Sequence, residues 1–193
     1  PDNNSLAHRT TWLRSDFKTV NLRKNIGGAG GFNAGLKYFM KNSDADYAWI
    51  MDDDTIPSKT ALKSMMEKIP LVTKLGFLCS NVKWRDNSVA KMNIPRTEED
   101  WNEIIDKGLV KVKSASFVSI LFPREVIKEV GYPITDFFIW GDDVEYTLRI
   151  TKHDLTGYLV NTSIVEHKIK SNIATNIVLE KDINRIGRYY YAN

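Results

Sequence analysis

The sequence predicts an α/β fold: a single domain built on a mixed, mostly parallel sheet flanked by helices. Short apolar runs rich in branched and aromatic residues alternate with segments whose apolar residues recur at helical spacing. That alternation is the pattern of strands joined by helical crossovers. The 193 residues are 42% apolar and 26% charged, the balance of a globular chain with a sizeable core. Apolar stretches such as residues 117–122 are far shorter than the roughly 20 residues that a bilayer-spanning helix needs.

The elements follow in order. Residues 18–22 read as a strand. Residues 30–42 read as a helix, with Phe32, Leu36, Phe39 and Met40 on one face. Tyr47, Ala48, Trp49, Ile50 and Met51 form a buried strand with turn chemistry on both sides. Residues 58–69 are a second helix, with Leu62, Met65, Met66 and Ile69 at helical spacing, and residues 76–80 a strand. Residues 86–107 are polar and irregular, a loop with a short helix near 98–105. A strand at 115–122 leads into a helix at 123–130, opened by Pro123. A helix at 142–152, short strands at 157–160 and 164–167, and a helix at 176–190 complete the chain. No repeat, low-complexity tract or composition shift divides it, so residues 1–193 read as one domain.

The acidic triplet Asp52-Asp53-Asp54 ends the strand at 47–51. Three like charges there repel one another, and nothing in the local sequence neutralises them. A divalent cation with oxygen ligands would do so. Asp52 and Asp54 are two apart, so in an extended chain they face one side. A solvated acidic turn, with Asp54 capping the next helix, accounts for the triplet equally.

A glycine-rich run, Asn25-Ile26-Gly27-Gly28-Ala29-Gly30-Gly31-Phe32-Asn33-Ala34-Gly35, joins the first strand to the first helix. Glycines let backbone approach a ligand closely, and a helix N-terminus favours an anion. A flexible turn is the plain alternative. The run is not a dinucleotide fingerprint, because Asn33 stands where a third glycine is needed, and no Gly-Lys-Ser/Thr makes it a P-loop.

A second acidic cluster, Trp140-Gly141-Asp142-Asp143-Val144-Glu145, opens the helix at 142–152. Asp142 with Glu145 three residues later mimics a capping box. A general base at a helix mouth uses the same residue types. Both readings hold together if Asp142 caps and Asp143 projects. His167 ends the last strand, where it can reach a metal held by a neighbouring strand end; a surface or hydrogen-bonded role is equally open to a lone histidine.

Net charge is +3, too mild to argue for nucleic acid. Cys79 is the sole cysteine, which fits a reducing compartment and sets the expectation of a cytoplasmic protein. Lys168, Lys170, Arg185 and Arg188 read either as a face for anionic lipid, peripheral at the membrane, or as a solvated basic face.

Taken in order, these segments resemble family 2 glycosyltransferases of the GT-A fold, particularly the rhamnosyl- and galactofuranosyl-transferase branch. Asp2-Asn3-Asn4-Ser5 is similar to an Asp-Asn-x-Ser segment of that family. The glycine run, the Asp-x-Asp triplet, residues 138–149, His167 and Arg188-Tyr189-Tyr190-Tyr191 follow in family order. The resemblance implies Mn²⁺ or Mg²⁺ held by Asp52, Asp54 and His167 against a donor diphosphate. It implies Asp143, or failing it Asp142, as the base that deprotonates an acceptor hydroxyl, with inversion at the anomeric carbon. It places Asp2 at the nucleobase, Asn25 and Gly28 near the donor, Asp53 as a secondary contact and Trp140 under an acceptor sugar. The donor would be a UDP- or dTDP-linked sugar, such as galactofuranose or rhamnose, and the acceptor a glycan or lipid-linked hydroxyl in cell-surface polysaccharide synthesis. Family members begin with a strand, a helix and a second strand, and this chain starts after them. The expectation is a domain without its first strands, weakly active or inactive alone and prone to self-association at the exposed edge.

Two other classes compete. A metal-dependent nucleotidyl or phosphoryl transferase also clusters carboxylates at strand ends, but needs a phosphate-gripping lysine or further ligands near the triplet. A non-catalytic carbohydrate-binding module needs neither acidic cluster.

Overall fold

The computed structural model describes residues 18–174. Asp2 and its neighbours, Arg185, Arg188 and the helix expected at 176–190 lie outside the described residues.

Among the described residues seven strands form one sheet: β1 (Tyr47–Met51), β2 (Thr55–Pro57), β3 (Leu75–Lys83), β4 (Arg96–Thr97), β5 (Leu109–Ser114), β6 (Ser119–Pro123) and β7 (Thr156–His167). Their order is β1-β6-β3-β7-β5-β4, with β2 attached to β7. The α/β class holds, but the expected mostly parallel sheet does not. Among the described residues β3 and β7 are the one parallel pair, and the others are antiparallel. Alternation of strand and helix implies parallel neighbours only when consecutive strands lie side by side. Among the described strands only β4 and β5 do so.

Among the described residues four α-helices pack on this frame: α1 (Gly27–Asn42), α2 (Ala61–Met66), α3 (Arg124–Val130) and α4 (Asp142–Thr151). The glycine run is not a loop before α1 but its first turns. Residues 18–22 carry no ladder pairing among the described residues, and a strand without a partner has no stability of its own. Helix α2 is shorter than expected, giving way to a 3-10 turn at Ile69–Leu71, because Pro70 disfavours helix before it and lacks an N–H. Residues 98–105 form turns rather than a helix, drawn together by Lys111, which bonds Asp100 at 2.6 Å and also Glu103.

The strand expected at 115–122 is two things. Residues 115–118 cross from β5 to β6, and only Ser119–Pro123 is strand. The crossing is apolar because it is buried, with Ala115, Phe117 and Val118 in the core. The two expected strands at 157–160 and 164–167 are one strand, β7. Its register against β3 slips where Val160 and Ile164 face the consecutive Ser80 and Asn81, and that irregularity broke the pattern.

An aromatic cluster holds α1 and α4 against the sheet. Phe117 packs edge-on against Phe32 at 4.9 Å and Tyr146 at 6.0 Å, and Phe122 against Tyr146 at 5.3 Å between ring centroids. Tyr146 donates to the Gly131 carbonyl at 2.7 Å, so this wholly buried side chain wastes no polar atom. It stands one turn into α4 and fixes the helix whose first turn carries Asp142 and Asp143. No described helix is long and apolar enough to cross a membrane.

Candidate metal and acceptor site

The triplet leaves the end of β1 in a turn closed by the Thr55 N–H on the Asp52 carbonyl at 3.2 Å. Strand β2 then pairs with β7, placing Thr55 opposite His167. The Lys168 N–H bonds the Asp54 carbonyl at 3.0 Å. The turn is thereby fastened to the far end of β7, and Asp52, Asp54 and His167 converge. His167 Nε2 lies 3.1 Å from Asp54 Oδ1 and 4.0 Å from Asp52 Oδ2. One ligand atom from each of the three falls within 4.8 Å of the others. Asp53 is exposed and outside this set.

The donor set suits a divalent cation: two carboxylate oxygens and an imidazole nitrogen from three rigidly placed positions. Its electrostatics point the same way. Burial first, then the charges of Asp54, Asp143 and Asp53, push the Asp52 carboxyl up to about 7. Negative charge is in excess here, which is what a cation relieves.

Sequence reasoning missed Asn93. Its Oδ1 lies 2.8 Å from His167 Nδ1, and its Nδ2 donates to Ser116 Oγ at 3.0 Å. It sits on a 3-10 turn, Lys91–Asn93, inside a stretch that read as irregular polar loop. The one available signal was a buried-type amide between apolar Met92 and Ile94, which is too common to single out.

At the mouth of α4 the capping-box reading fails. Gly141, at φ 85°, occupies the N-cap position. Glu145 instead accepts from Arg149 Nε at 2.7 Å. Asp142 is buried in the first turn, and burial together with the Asp143 charge pushes its carboxyl up to about 7. Burial also raises Asp143, against hydrogen bonds from backbone N–H groups that pull it down; one of these is Val144 N–H to Asp143 Oδ1 at 2.7 Å.

Asp143 and Trp140 line a cavity of about 310 Å³, together with Asn93, Ser116, Arg96 and others. Asp142 is absent from its wall. The backbone before α4 is contorted, with Phe138 at φ 58° and Trp140 at φ 67°, conformations that non-glycine residues rarely adopt.

Asn25 accepts the Gly27 N–H at 2.9 Å through its side chain, so it helps start α1. Gly28 is different: a Cβ there would meet nothing within 4 Å. Packing does not require this glycine, and the space over it is open to a ligand.

Residues 15–192 match the family model described as Glycosyltransferase like family 2. Two curated relatives illustrate the likeness. One is the galactofuranosyltransferase GlfT2 of Mycolicibacterium smegmatis, 25% identical over 166 residues, 72% of this chain and 25% of that protein. The other is the poly-beta-1,6-N-acetyl-D-glucosamine synthase of Staphylococcus epidermidis, 28% identical over 148 residues, 72% of this chain and 34% of that protein. The chain therefore spans about a quarter to a third of the length of these relatives. Among solved structures, GalNAc-T7 with UDP, GalNAc and Mn²⁺ superposes with a TM-score of 0.61 at 13% identity, covering 78% of this chain and 32% of that one. That likeness establishes the GT-A fold alone, whereas the family match covers nearly the whole sequence: the chain belongs to the family 2-like glycosyltransferases.

Proposed function

We propose that this chain carries the transfer site of a divalent-metal-dependent, inverting glycosyltransferase that moves a sugar from a nucleoside-diphosphate donor to a hydroxyl of a glycan or lipid-linked acceptor. The observation that carries the reading is the convergence of Asp52, Asp54 and His167 beside a cavity walled by Asp143 and Trp140. Asp52, Asp54 and His167 would hold Mn²⁺ or Mg²⁺. Such an ion offsets charge on a departing diphosphate.

The rest of the task falls to this chain's own side chains. Open backbone at Gly28 admits the donor close to the start of α1. Trp140 offers an apolar face to an acceptor sugar. Asp143, on the cavity wall, accepts the proton of the acceptor hydroxyl as its oxygen attacks the anomeric carbon. Burial raises its affinity for a proton, the direction that strengthens a base. Asp142 lies behind it and is the weaker candidate. UDP- and dTDP-linked sugars are the donors to try first.

A nucleotidyl or phosphoryl transferase is less well supported, because Asp52, Asp54 and His167 are the single ligand cluster among the described residues. A binding module would leave the acidic cluster at the head of α4 without a task. The test is Mn²⁺-dependent hydrolysis and transfer of UDP- and dTDP-sugars by the full chain. Wild-type rates in both Asp54→Asn and Asp143→Asn would refute this mechanism.

A further inference from the structure

His167 has both ring nitrogens committed. Nε2 faces the carboxylates, 3.1 Å from Asp54 and 4.0 Å from Asp52, while Nδ1 lies 2.8 Å from Asn93 Oδ1. The residue is only 4% exposed, so bulk water does not compete for either nitrogen. Asn93 is itself 9% exposed, and its amide is oriented by donation to Ser116 Oγ at 3.0 Å. The oxygen of that amide therefore faces the imidazole, and an amide oxygen can only accept. With Nδ1 donating to that oxygen, Nε2 would be the nitrogen left with a lone pair for an ion held between it and the carboxylates.

The turn that brings Asn93 here is anchored from elsewhere in the chain. Asn172, beyond β7, accepts the Lys91 N–H at 2.8 Å and donates to Val89 O at 2.9 Å. The amide is thus fastened to the segment that follows His167, and the two partners stay in register.

We propose that Asn93 is a positioning residue: it fixes the tautomer and ring plane of His167 so that Nε2 faces Asp52 and Asp54 as an electron-pair donor. This rests on the metal reading above. Hydrogen-bond partners of this kind typically change metal affinity by about 10–100-fold when removed.

The test uses the full chain and the metal alone. Calorimetric titration with Mn²⁺ compares wild type, Asn93→Leu, which removes the acceptor at similar volume, and Asn93→Asp, which keeps an acceptor oxygen in place. The expected result is affinity weakened about 10–100-fold in Asn93→Leu and largely retained in Asn93→Asp, with unchanged circular dichroism in both. Should Asn93→Leu fail to fold, ¹⁵N spectra of the Mg²⁺-saturated wild type decide, with the His167 proton expected on Nδ1. Equal Mn²⁺ affinity in a folded Asn93→Leu chain overturns this assignment while leaving the metal reading intact; a proton on Nε2 overturns it and also removes His167 from the ligand set. A wild type that binds neither cation overturns both.

Discussion

The carbonyl oxygen of Phe138 occupies the place that a side chain on Gly27 would need: a Cβ built there would lie 1.8 Å from it. The Ala29 N–H bonds that same carbonyl at 3.1 Å. The first turn of α1 is pressed against the contorted segment that leads to Trp140 and Asp143, so the start of α1 and the approach to α4 meet backbone to backbone.

Gly27→Ala and Gly28→Ala should therefore differ sharply. At Gly27 the new methyl collides with backbone and φ is 72°; a loss of about 2–4 kcal/mol is expected, as for other strained and overpacked sites. At Gly28 there is open space, and alanine in a helix is worth up to about 1 kcal/mol over glycine. Urea titration should show the first variant destabilised and the second at least as stable as wild type. Donor binding should weaken in the second.

The two aspartates heading α4 should separate kinetically. Asp143 lines the cavity and Asp142 does not. Asp143→Asn should lower kcat about 10²–10⁴-fold, the usual contribution of a general base, with Mn²⁺ affinity little changed. Asp142→Asn should keep most of the rate. The reverse order would exchange the two roles.

Acidity should stabilise the metal-free protein. Asp52 and Asp142 both hold their protons up to about 7 in the folded state, well above an unfolded aspartate at about 3.9. Between those values the folded chain binds more protons than the unfolded one, so stability falls as pH rises through that window. The Asp52 side chain keeps 37% of its surface exposed, which screens part of its effect; Asp142 is 6% exposed and should dominate. Melting temperatures from pH 4 to 8 should decline in wild type and flatten in Asp142→Asn. Added Mn²⁺ should restore stability above about pH 7 and lose its effect as Asp52 takes up its proton below.

A chain of hydroxyls runs through the centre of the sheet. Trp49 Nε1 donates to Ser119 Oγ at 3.0 Å, and Ser80 Oγ lies 2.8 Å from Ser119 Oγ and 2.9 Å from Ser163 Oγ. Ser119 is 1% exposed. Ser119→Ala should strip the half-buried Trp49 of its acceptor and leave Ser80 one partner short, a cost of about 1 kcal/mol, readable by chemical denaturation. Trp49 adjoins the triplet through β1, so Mn²⁺ affinity should fall as well.

Sequence reading went furthest where local pattern and burial agree. Strand β1 has the expected bounds, and α4 is one residue shorter than expected. Asp52, Asp54 and His167 converge as their positions at strand ends suggested, while Asp53 stays outside the set. It failed where apolar character had another cause, as in residues 115–118, which are buried as a crossing, or where a strand carries polar residues, as in β5 with Lys111 and Lys113. Sheet direction was illegible because neighbouring strands are distant in the chain. Asn93 was illegible for the same reason: its meaning lies in a partner on β7.

Strand β7 pairs with β2, β3 and β5 and delivers His167 to carboxylates held near the start of the described chain. During synthesis, then, the aspartates emerge long before their third partner. A ribosome-bound chain still lacking β7 carries the acidic turn without the imidazole or the strand that clamps it. Convergence of the three side chains is therefore a late event in the life of the nascent chain, completed only when β7 joins the sheet.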